Sequence, residues 1–309
     1  MIEIVNLTKR YGNFTALDKL NLQVDAGVVF GVVGSNGAGK STTFSILSTL
    51  LAPTEGYAKV NGFNIITESE KVRAQIGYMP DFFGVYDNFT VEEYLHFYGA
   101  SYKISKKERL QLIPQLLQLV NLEHKRYDYV DLLSRGMKQR LCLARCLIHD
   151  PKVLILDEPA SGLDPRARVE MREILKTLKL MGKTILISSH ILPELAEMCD
   201  EIGIINKGQL VARGNVAEIQ AKLNNEKELV LKTLQSSEIV RKVLEEVPEV
   251  SKLSIDQEEI TFFFNGTDKQ KAALLKQLIQ QDIEVVYFAE KMSNLEDVFM
   301  EITKEVSLS

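Results

Sequence analysis

The sequence has no run approaching 18 apolar residues, so no part of it is expected to cross a bilayer as a helix. It also lacks a basic start followed by an apolar core. MIEIVNLTKRYG is the opening, and no secretory signal peptide is expected there. Cysteine is scarce, at three residues with no paired spacing, which points to a reducing cytosol. Cys142 and Cys146 stand four apart on a predicted helix, but no second ligand pair exists, so packing is expected rather than zinc. An excess of positive charge is missing as well. The net charge is −5, and residues 226–309 hold 10 Lys/Arg against 17 Asp/Glu, a balance of −7 that leaves +2 for the rest. Neither part has the basic balance of a nucleic-acid binder, so no nucleic acid is expected as a partner. No internal repeat, low-complexity segment or heptad run is present. What remains is an ordinary globular profile: 309 residues, 45% hydrophobic and 26% charged, enough for one large domain and one small one.

The chain is organised around Gly34-Ser35-Asn36-Gly37-Ala38-Gly39-Lys40-Ser41-Thr42. This fits G-x-x-x-x-G-K-[ST], the phosphate-binding loop. A strand-like run, Val28 to Val33, leads in, and a helix-like run, Ser41 to Leu51, leads out. The glycines allow a tight turn whose backbone N–H groups converge on one anion. The helix start adds unsatisfied donors and the positive end of a dipole. The motif predicts ATP as ligand, Lys40 on the β- and γ-phosphates and Ser41 on Mg²⁺.

Read in order, strands are expected at 2–5, 20–24, 28–33 and within 53–61, then at 76–79. Helices follow at 91–102 and 106–120, the second kinked or divided at Pro114. A helix at 136–148, a buried strand at 153–156, a helix at 165–180 and a strand at 184–187 come next. A hairpin over 202–211, broken at Lys207-Gly208, closes this part. Alternating strands and helices argue for an α/β core with a mostly parallel sheet. The polar break Asn224-Asn225-Glu226 predicts a domain boundary, giving domains 1–222 and 226–309. Beyond it the reading is strand 228–234, helix 237–246, strands 250–255 and 259–265, helix 268–281 and strand 283–288. That order is the β-α-β-β-α-β split unit of ferredoxin-like folds. A last helix is expected at 294–304.

Val153-Leu-Ile-Leu-Asp157 has the form of the second half of a P-loop ATPase site. A buried strand would set Asp157 beside the loop, where it can hold Mg²⁺ through water. Glu158, one residue on, points elsewhere and can accept a proton from the attacking water. Two solvated acids at a strand end is the bland alternative, and the intact phosphate loop argues against it.

Three further features match one family. Leu133-Ser134-Arg135-Gly136-Met137 resembles the LSGGQ signature of ATP-binding cassette (ABC) ATPases, at the family's spacing before the acidic strand. Ser161-Gly162-Leu163-Asp164 resembles the family's D-loop, and His190 its switch histidine. Tyr11 resembles the aromatic that stacks on adenine. The resemblance covers residues 1 to about 220. It implies a P-loop core with an antiparallel β subdomain and a helical subdomain. It also implies that Ser134 and Gly136 cover the nucleotide of a second subunit, so that the working unit is a dimer of this chain or of this chain with a similar ATPase subunit. His96, His124 and His149 lie on helical or polar stretches and are expected at the surface.

Three positions, in two motifs, depart from the family. Asp81 stands where Gln is usual after the Tyr-x-Pro turn, and is assigned to the nucleotide and Mg²⁺ site. Arg135 and Met137 replace Gly and Gln of the signature, while Ser134 and Gly136 are kept. The aromatic stretch Phe82, Phe83, Tyr86 and Phe89 is read either as packing or as the patch that meets the membrane subunit. Leu295 to Phe299 resembles a run found in accessory domains of drug or polymer exporters. The resemblance therefore implies an ATP-hydrolysing subunit that powers transport, in the direction of export, through separate integral membrane permease subunits, docked on the inner face of the cell membrane. A soluble ABC ATPase of translation or DNA repair is the alternative, disfavoured by the single cassette and the missing coiled coil.

Overall fold

A computed structural model describes residues 1–82, 84, 88–215, 218–219, 227–256 and 259–290. The last expected helix (294–304), the Leu295 to Phe299 run, the boundary residues Asn224 to Glu226, Phe83 and Tyr86 lie outside the described residues. The chain divides into two compact units close to residue 216.

The first unit holds two sheets. Strands β1 (Ile2–Tyr11), β2 (Phe14–Val24), β4 (Glu55–Val60) and β5 (Phe63–Asn64) form an antiparallel sheet in the order β2-β1-β4-β5. The second sheet runs β10-β9-β3-β8-β7-β6 and comprises β3 (Val29–Val33), β6 (Ile76–Met79), β7 (Val153–Leu156), β8 (Thr184–Ser189), β9 (Glu201–Asn206) and β10 (Gln209–Gly214). Its pairs are parallel except for β10, an antiparallel edge. Every residue of β3, β7 and β8 is buried; β3 and β7 accordingly read as near-continuous apolar runs rather than alternating ones, while β8 also buries Thr184, Ser188 and Ser189. β1 and β2 are longer than their apolar patterns. Their outer ends carry polar and exposed residues that only the hairpin pairing holds extended, Tyr11 opposite Phe14 at the tip.

Helix α1 (Lys40–Leu47) leaves the phosphate loop, and α2 (Ser69–Gln75) precedes β6. A helical layer contains α3 (Val91–Ser101), α4 (Lys106–Leu119) and α5 (Arg135–Leu147). Capping boxes Thr90/Glu93 and Ser105/Glu108 start α3 and α4. Pro114 does not divide α4, which runs through it as one helix. The carbonyl that its missing N–H would have met belongs to exposed Leu110, where water can serve it. Helix α6 (Pro165–Leu180) starts on the Asp164 cap with Pro165 in its first turn, and a short α7 (Leu192–Met198) lies between β8 and β9. The expected terminal hairpin is thus a strand of the main sheet, β9 beside β3, plus the edge β10. Among the described residues no helix is long and apolar enough to cross a membrane.

The second unit contains β11 (Lys227–Thr233), α8 (Ser237–Glu245), β12 (Val250–Asp256), β13 (Glu259–Phe264), α9 (Asp268–Gln280) and β14 (Val285–Glu290). Its antiparallel sheet has the order β12-β13-β11-β14. Leu229, Leu231, Phe262 and Phe264 of the sheet pack with Val240 and Leu244 of α8 and Leu274 and Leu278 of α9. Alternate β13 residues are buried, as one covered face requires.

Candidate functional site

The phosphate loop joins β3 to α1. Gly39 caps α1 at φ 110°, a conformation closed to ordinary side chains, and offers no side-chain cap. The first N–H groups of α1 are therefore not taken by a capping side chain. Gly34 is required for space: a Cβ there would stand 2.5 Å from the Ile205 carbonyl oxygen and 2.9 Å from the Ala38 Cβ. The loop is braced from the β9–β10 turn, where Gly208 N–H donates to the Ala38 carbonyl (2.9 Å) and the Gly208 carbonyl accepts from Asp18 N–H (3.1 Å). A Cβ on Gly208 would meet the Ala16 oxygen at 2.7 Å, so this turn too needs glycine. Sequence reading took Lys207-Gly208 only as a hairpin break; its positive-φ glycine was the available signal.

Lys40 is 6% exposed, and its Nζ donates to the carbonyls of Gly34 (2.7 Å) and Ser35 (3.3 Å). Burial pulls its ammonium below the ordinary lysine range, opposed by the charges of Glu158, Asp157 and Asp81. A triphosphate would bring further negative charge to this buried cation.

Asp157 and Glu158 follow the end of β7. Asp157 is 2% exposed, and its Oδ1 accepts from the Ser188 hydroxyl (2.5 Å). Ser188 in turn accepts from Glu158 N–H (2.9 Å). One hydroxyl on β8 thus fixes both acids, a role the sequence reading missed. Glu158 has φ +51°, so its side chain leaves in a different direction from that of Asp157. Its Oε1 lies 3.9 Å from Lys40 Nζ, and its Oε2 is 2.9 Å from His190 Nδ1. Lysine, glutamate and histidine from three separate segments meet here, although 118 and 32 residues separate them along the chain.

A cavity of about 390 Å³ opens over this cluster. Its wall includes Tyr11, Phe14, Asn36, Gly37, Gly39, Lys40, Ser41, Thr42, Asp81, Glu158 and His190. Tyr11 is half exposed with Lys9 Nζ 5.2 Å from its ring centre, and Phe14, which the sequence reading passed over, stands beside it. Gly34, Ala38 and Asp157 are buried and do not line the cavity, and exposed Ser35 is not part of its wall either. Ser41 and Asp81 present oxygen donors to the cavity. Among the described residues no three His, Cys, Asp or Glu side chains are close enough to cage a metal. Mg²⁺ fits such a place, because it is commonly held by one or two protein oxygens, water and substrate phosphates.

Ser134 and Gly136 are not part of this cavity. Ser134 caps α5, its Oγ accepting from Met137 N–H (3.3 Å). Gly136 is the second residue of α5 rather than its first, and it packs where a Cβ would meet Ala167 at 3.0 Å. Both line a separate cavity of about 900 Å³, with Arg140, Asp164, Arg166 and Glu170. Arg135 lies over Gly162, its guanidinium filling the space where a Cβ would be. The arginine that departs from the signature thus packs on the Ser161–Asp164 loop.

Other expectations resolve individually. Phe82 is 92% exposed, whereas Phe89 packs against Phe97 with ring centres 5.8 Å apart. His124 is exposed, while His96 and His149 are half-buried, His149 stacking on Tyr102 at 3.9 Å and bonding the Ile76 carbonyl. Cys142 and Cys146 are buried, and Arg145 Nη2 donates to Cys142 Sγ.

A family described as "ABC transporter" matches residues 17–161, which contain the phosphate loop, the signature and both acids. The probable multidrug ABC transporter ATP-binding protein YbhF of Escherichia coli (strain K12) is 39% identical over 228 residues, which is 74% of this chain and 39% of YbhF. The chain therefore spans well under half the length of that relative. The bacitracin transport ATP-binding protein BcrA of Bacillus licheniformis is 34% identical over 303 residues, covering 98% of this chain and 97% of BcrA. Among solved structures, the dimeric bacterial ABC transporter cassette MJ0796 superposes with a TM-score of 0.64 at 27% identity, over 70% of this chain and 99% of that one. The fold, the cavity and a match that runs nearly the length of BcrA agree, and the chain belongs to the ATP-binding cassette (ABC) transporter family.

Proposed function

We propose that this chain binds and hydrolyses ATP between two cassettes and thereby powers transport, in the direction of export, through separate integral membrane permease subunits. The observation that carries the hydrolytic part is the convergence of Lys40, Glu158 and His190 on one cavity, with Ser188 bracing the acids. The observation that carries the dimer is the separation of Ser134 and Gly136 from that cavity. They face a second cavity without a phosphate loop, so they can serve only a nucleotide held elsewhere. MJ0796 is dimeric by its own description, which supports the same reading.

In this reading Gly34–Thr42 cradles the phosphates, and Lys40 exchanges the loop carbonyls for phosphate oxygens. Tyr11 stacks on the base. His190 donates to the γ-phosphate, while Glu158 accepts the proton of the attacking water. Ser41 and Asp81 would hold Mg²⁺ directly and Asp157 through water; the ion would supply charge neutralisation on the phosphates. Ser134 and Gly136 would meet the γ-phosphate of the partner's nucleotide through a hydroxyl and a helix N-terminus. The chain would sit in the cytoplasm against the membrane, and residues from about 226 onward would form an accessory domain that does not touch nucleotide. Export as the direction rests on relatives such as the Nod factor export ATP-binding protein I of Neorhizobium galegae, 35% identical over 98% of this chain and 84% of that one.

Glu158→Gln tests the assignment of the base. General-base help is typically worth about 10²–10⁴-fold, so hydrolysis should fall by that order with ATP binding retained. The variant should accumulate as an ATP-bound dimer in size-exclusion chromatography with light scattering, and ADP should not support it. Hydrolysis at the wild-type rate would remove Glu158 from its role.

A further inference from the structure

The loop that carries His190 is tied to the loop between the two acids and α6 through one buried carboxylate. Glu194, on α7, is 7% exposed. Its Oε2 accepts from the Ser189 hydroxyl at 3.2 Å, and Ser189 Oγ itself accepts from Ile191 N–H at 3.0 Å. These two bonds bracket His190 on both sides. The other oxygen, Oε1, lies 3.1 Å from Arg168 Nη2. Arg168 belongs to the first turn of α6, directly after the Asp164 cap, and its backbone N–H bonds the Asp164 carbonyl at 3.0 Å. One turn on, Arg172 pairs with Glu197 at 2.6 Å, so α6 and α7 are joined by two ion pairs in matching register.

The far side of the Ser161–Asp164 loop is held by α5. Gln139 Nε2 donates to the Ser161 carbonyl at 3.1 Å, Arg135 covers Gly162, and Gly136 packs against Leu163 and Ala167. Physical contacts therefore run without a gap from α5, through the Ser161–Asp164 loop and Arg168, to Glu194 and the turn bearing His190. We infer that Glu194 is a positioning residue for ATP hydrolysis. Its two oxygens hold the His190 turn in register with the Ser161–Asp164 loop, so that His190 meets Glu158 only when α5 and that loop are in place. The inference rests on the hydrolytic reading above. It adds that the carboxylate must bridge both partners, not merely fill space. Placement errors of about 1 Å far from the chemistry can cost on the order of 10²-fold.

The test is a cycle of Glu194→Gln, Arg168→Met and the double variant in the full chain, read as kcat and KM for MgATP with melting temperature alongside. Glutamine keeps an acceptor for Ser189 but loses the charge facing Arg168. Each single variant should lower kcat about tenfold or more with KM within about twofold. The double variant should be no worse than the poorer single one, because both break the same link. Glu194→Asp, which restores the charge at shorter reach, should recover part of kcat. A kcat unchanged in both single variants, losses that multiply in the double variant, or a KM that rises as kcat falls would each overturn the inference. Arg168 is partly exposed, so Arg168→Met keeps the test open should Glu194→Gln fold poorly. Glu158→Gln is assayed in parallel. If it lowers hydrolysis by about 10²–10⁴-fold while the Glu194 and Arg168 variants keep the wild-type kcat, the bridge alone fails; if it hydrolyses ATP normally, the underlying reading fails.

Discussion

Glu158 occupies a backbone conformation, φ +51°, that a glutamate adopts only when its surroundings enforce it. Ser188 is the visible constraint, since its oxygen takes the Glu158 N–H while its proton goes to Asp157. Ser188→Ala should leave a donor and a carboxylate oxygen without partners. The expected cost is about 1–3 kcal/mol, a melting shift of about 2–4 °C per kcal/mol, together with lower kcat. Calorimetry and steady-state kinetics read both, and an unchanged melting temperature would show that Ser188 braces nothing. Gly34→Ala is a sharper change, because the new methyl meets backbone that cannot yield. ATP binding should be lost in titrations while circular dichroism remains that of the parent. Asp81 faces the same cavity as Lys40. If it replaces the usual Gln as a metal ligand, Asp81→Asn, Asp81→Gln and Asp81→Ala should all need more Mg²⁺ for half-maximal hydrolysis, and a wild-type metal response in all three would remove it from the site.

Helix α5 gathers polar groups that would be costly alone. Arg145 is half-buried beside the Tyr98 ring, 5.1 Å from its centre, and reaches Tyr94 Oη and Cys142 Sγ. Just past α5, His149 stacks on Tyr102 and bonds the Ile76 carbonyl at the start of β6, tying the helical layer to the sheet. Burial holds its pKa below the ordinary 6.5, despite the Ile76 carbonyl and the nearby Asp150 that favour the cation; Lys183 acts with burial. The folded state therefore prefers neutral His149. Its contribution is full above about pH 6.5 and is lost as pH falls through the depressed folded-state pKa. His96 on α3 is shifted the same way, first by burial and then by Arg109. Melting temperature should fall between about pH 7.5 and 5, and more gently in His149→Gln, which keeps a donor for Ile76 but cannot titrate. Parallel pH profiles for the two proteins would show that His149 is not a titrating link.

Each unit of the molecule has its own core. In the first, Phe30, Phe44, Leu47 and Leu186 pack with Leu7, Leu17 and Leu22; in the second, Leu229, Phe262 and Phe264 pack with Leu274 and Leu278. Separate cores allow separate folding. A chain cut after Asn225 should bind ATP with a Kd close to that of the full chain, measured by calorimetric titration. Loss of binding in a fragment that is still folded would refute the proposed division of labour; altered dimerisation would not. The dimer has its own test. Adding Ser134→Arg to Glu158→Gln should abolish the ATP-bound dimer, since a bulky cation would enter the partner's phosphate site. The experiment belongs at high protein concentration or with the permease present, and a persistent dimer would place the interface elsewhere.

Much of this protein was legible in its residues because the relevant constraints are local. Gly34 to Thr42 form a contiguous turn whose glycines and lysine follow from phosphate chemistry. β3 and β7 announce themselves as near-unbroken apolar runs because both faces are covered. The helix at 165–180 was legible from its periodic apolar positions alone. The helix α2, the full lengths of β1 and β2, and the place of β9 in the main sheet were not legible, since pairing partners far along the chain decide them. The same holds for the finer site. Nothing near Ser188 says that its hydroxyl joins Asp157 to Glu158, nothing near Gly208 says that it braces the phosphate loop, and nothing near Glu194 says that it meets Arg168. Sequence alone determined which groups can handle a phosphate; the tertiary structure decided which of them share a cavity, because hydrogen bonds and ion pairs act over about 3 Å of space and take no account of separation along the chain.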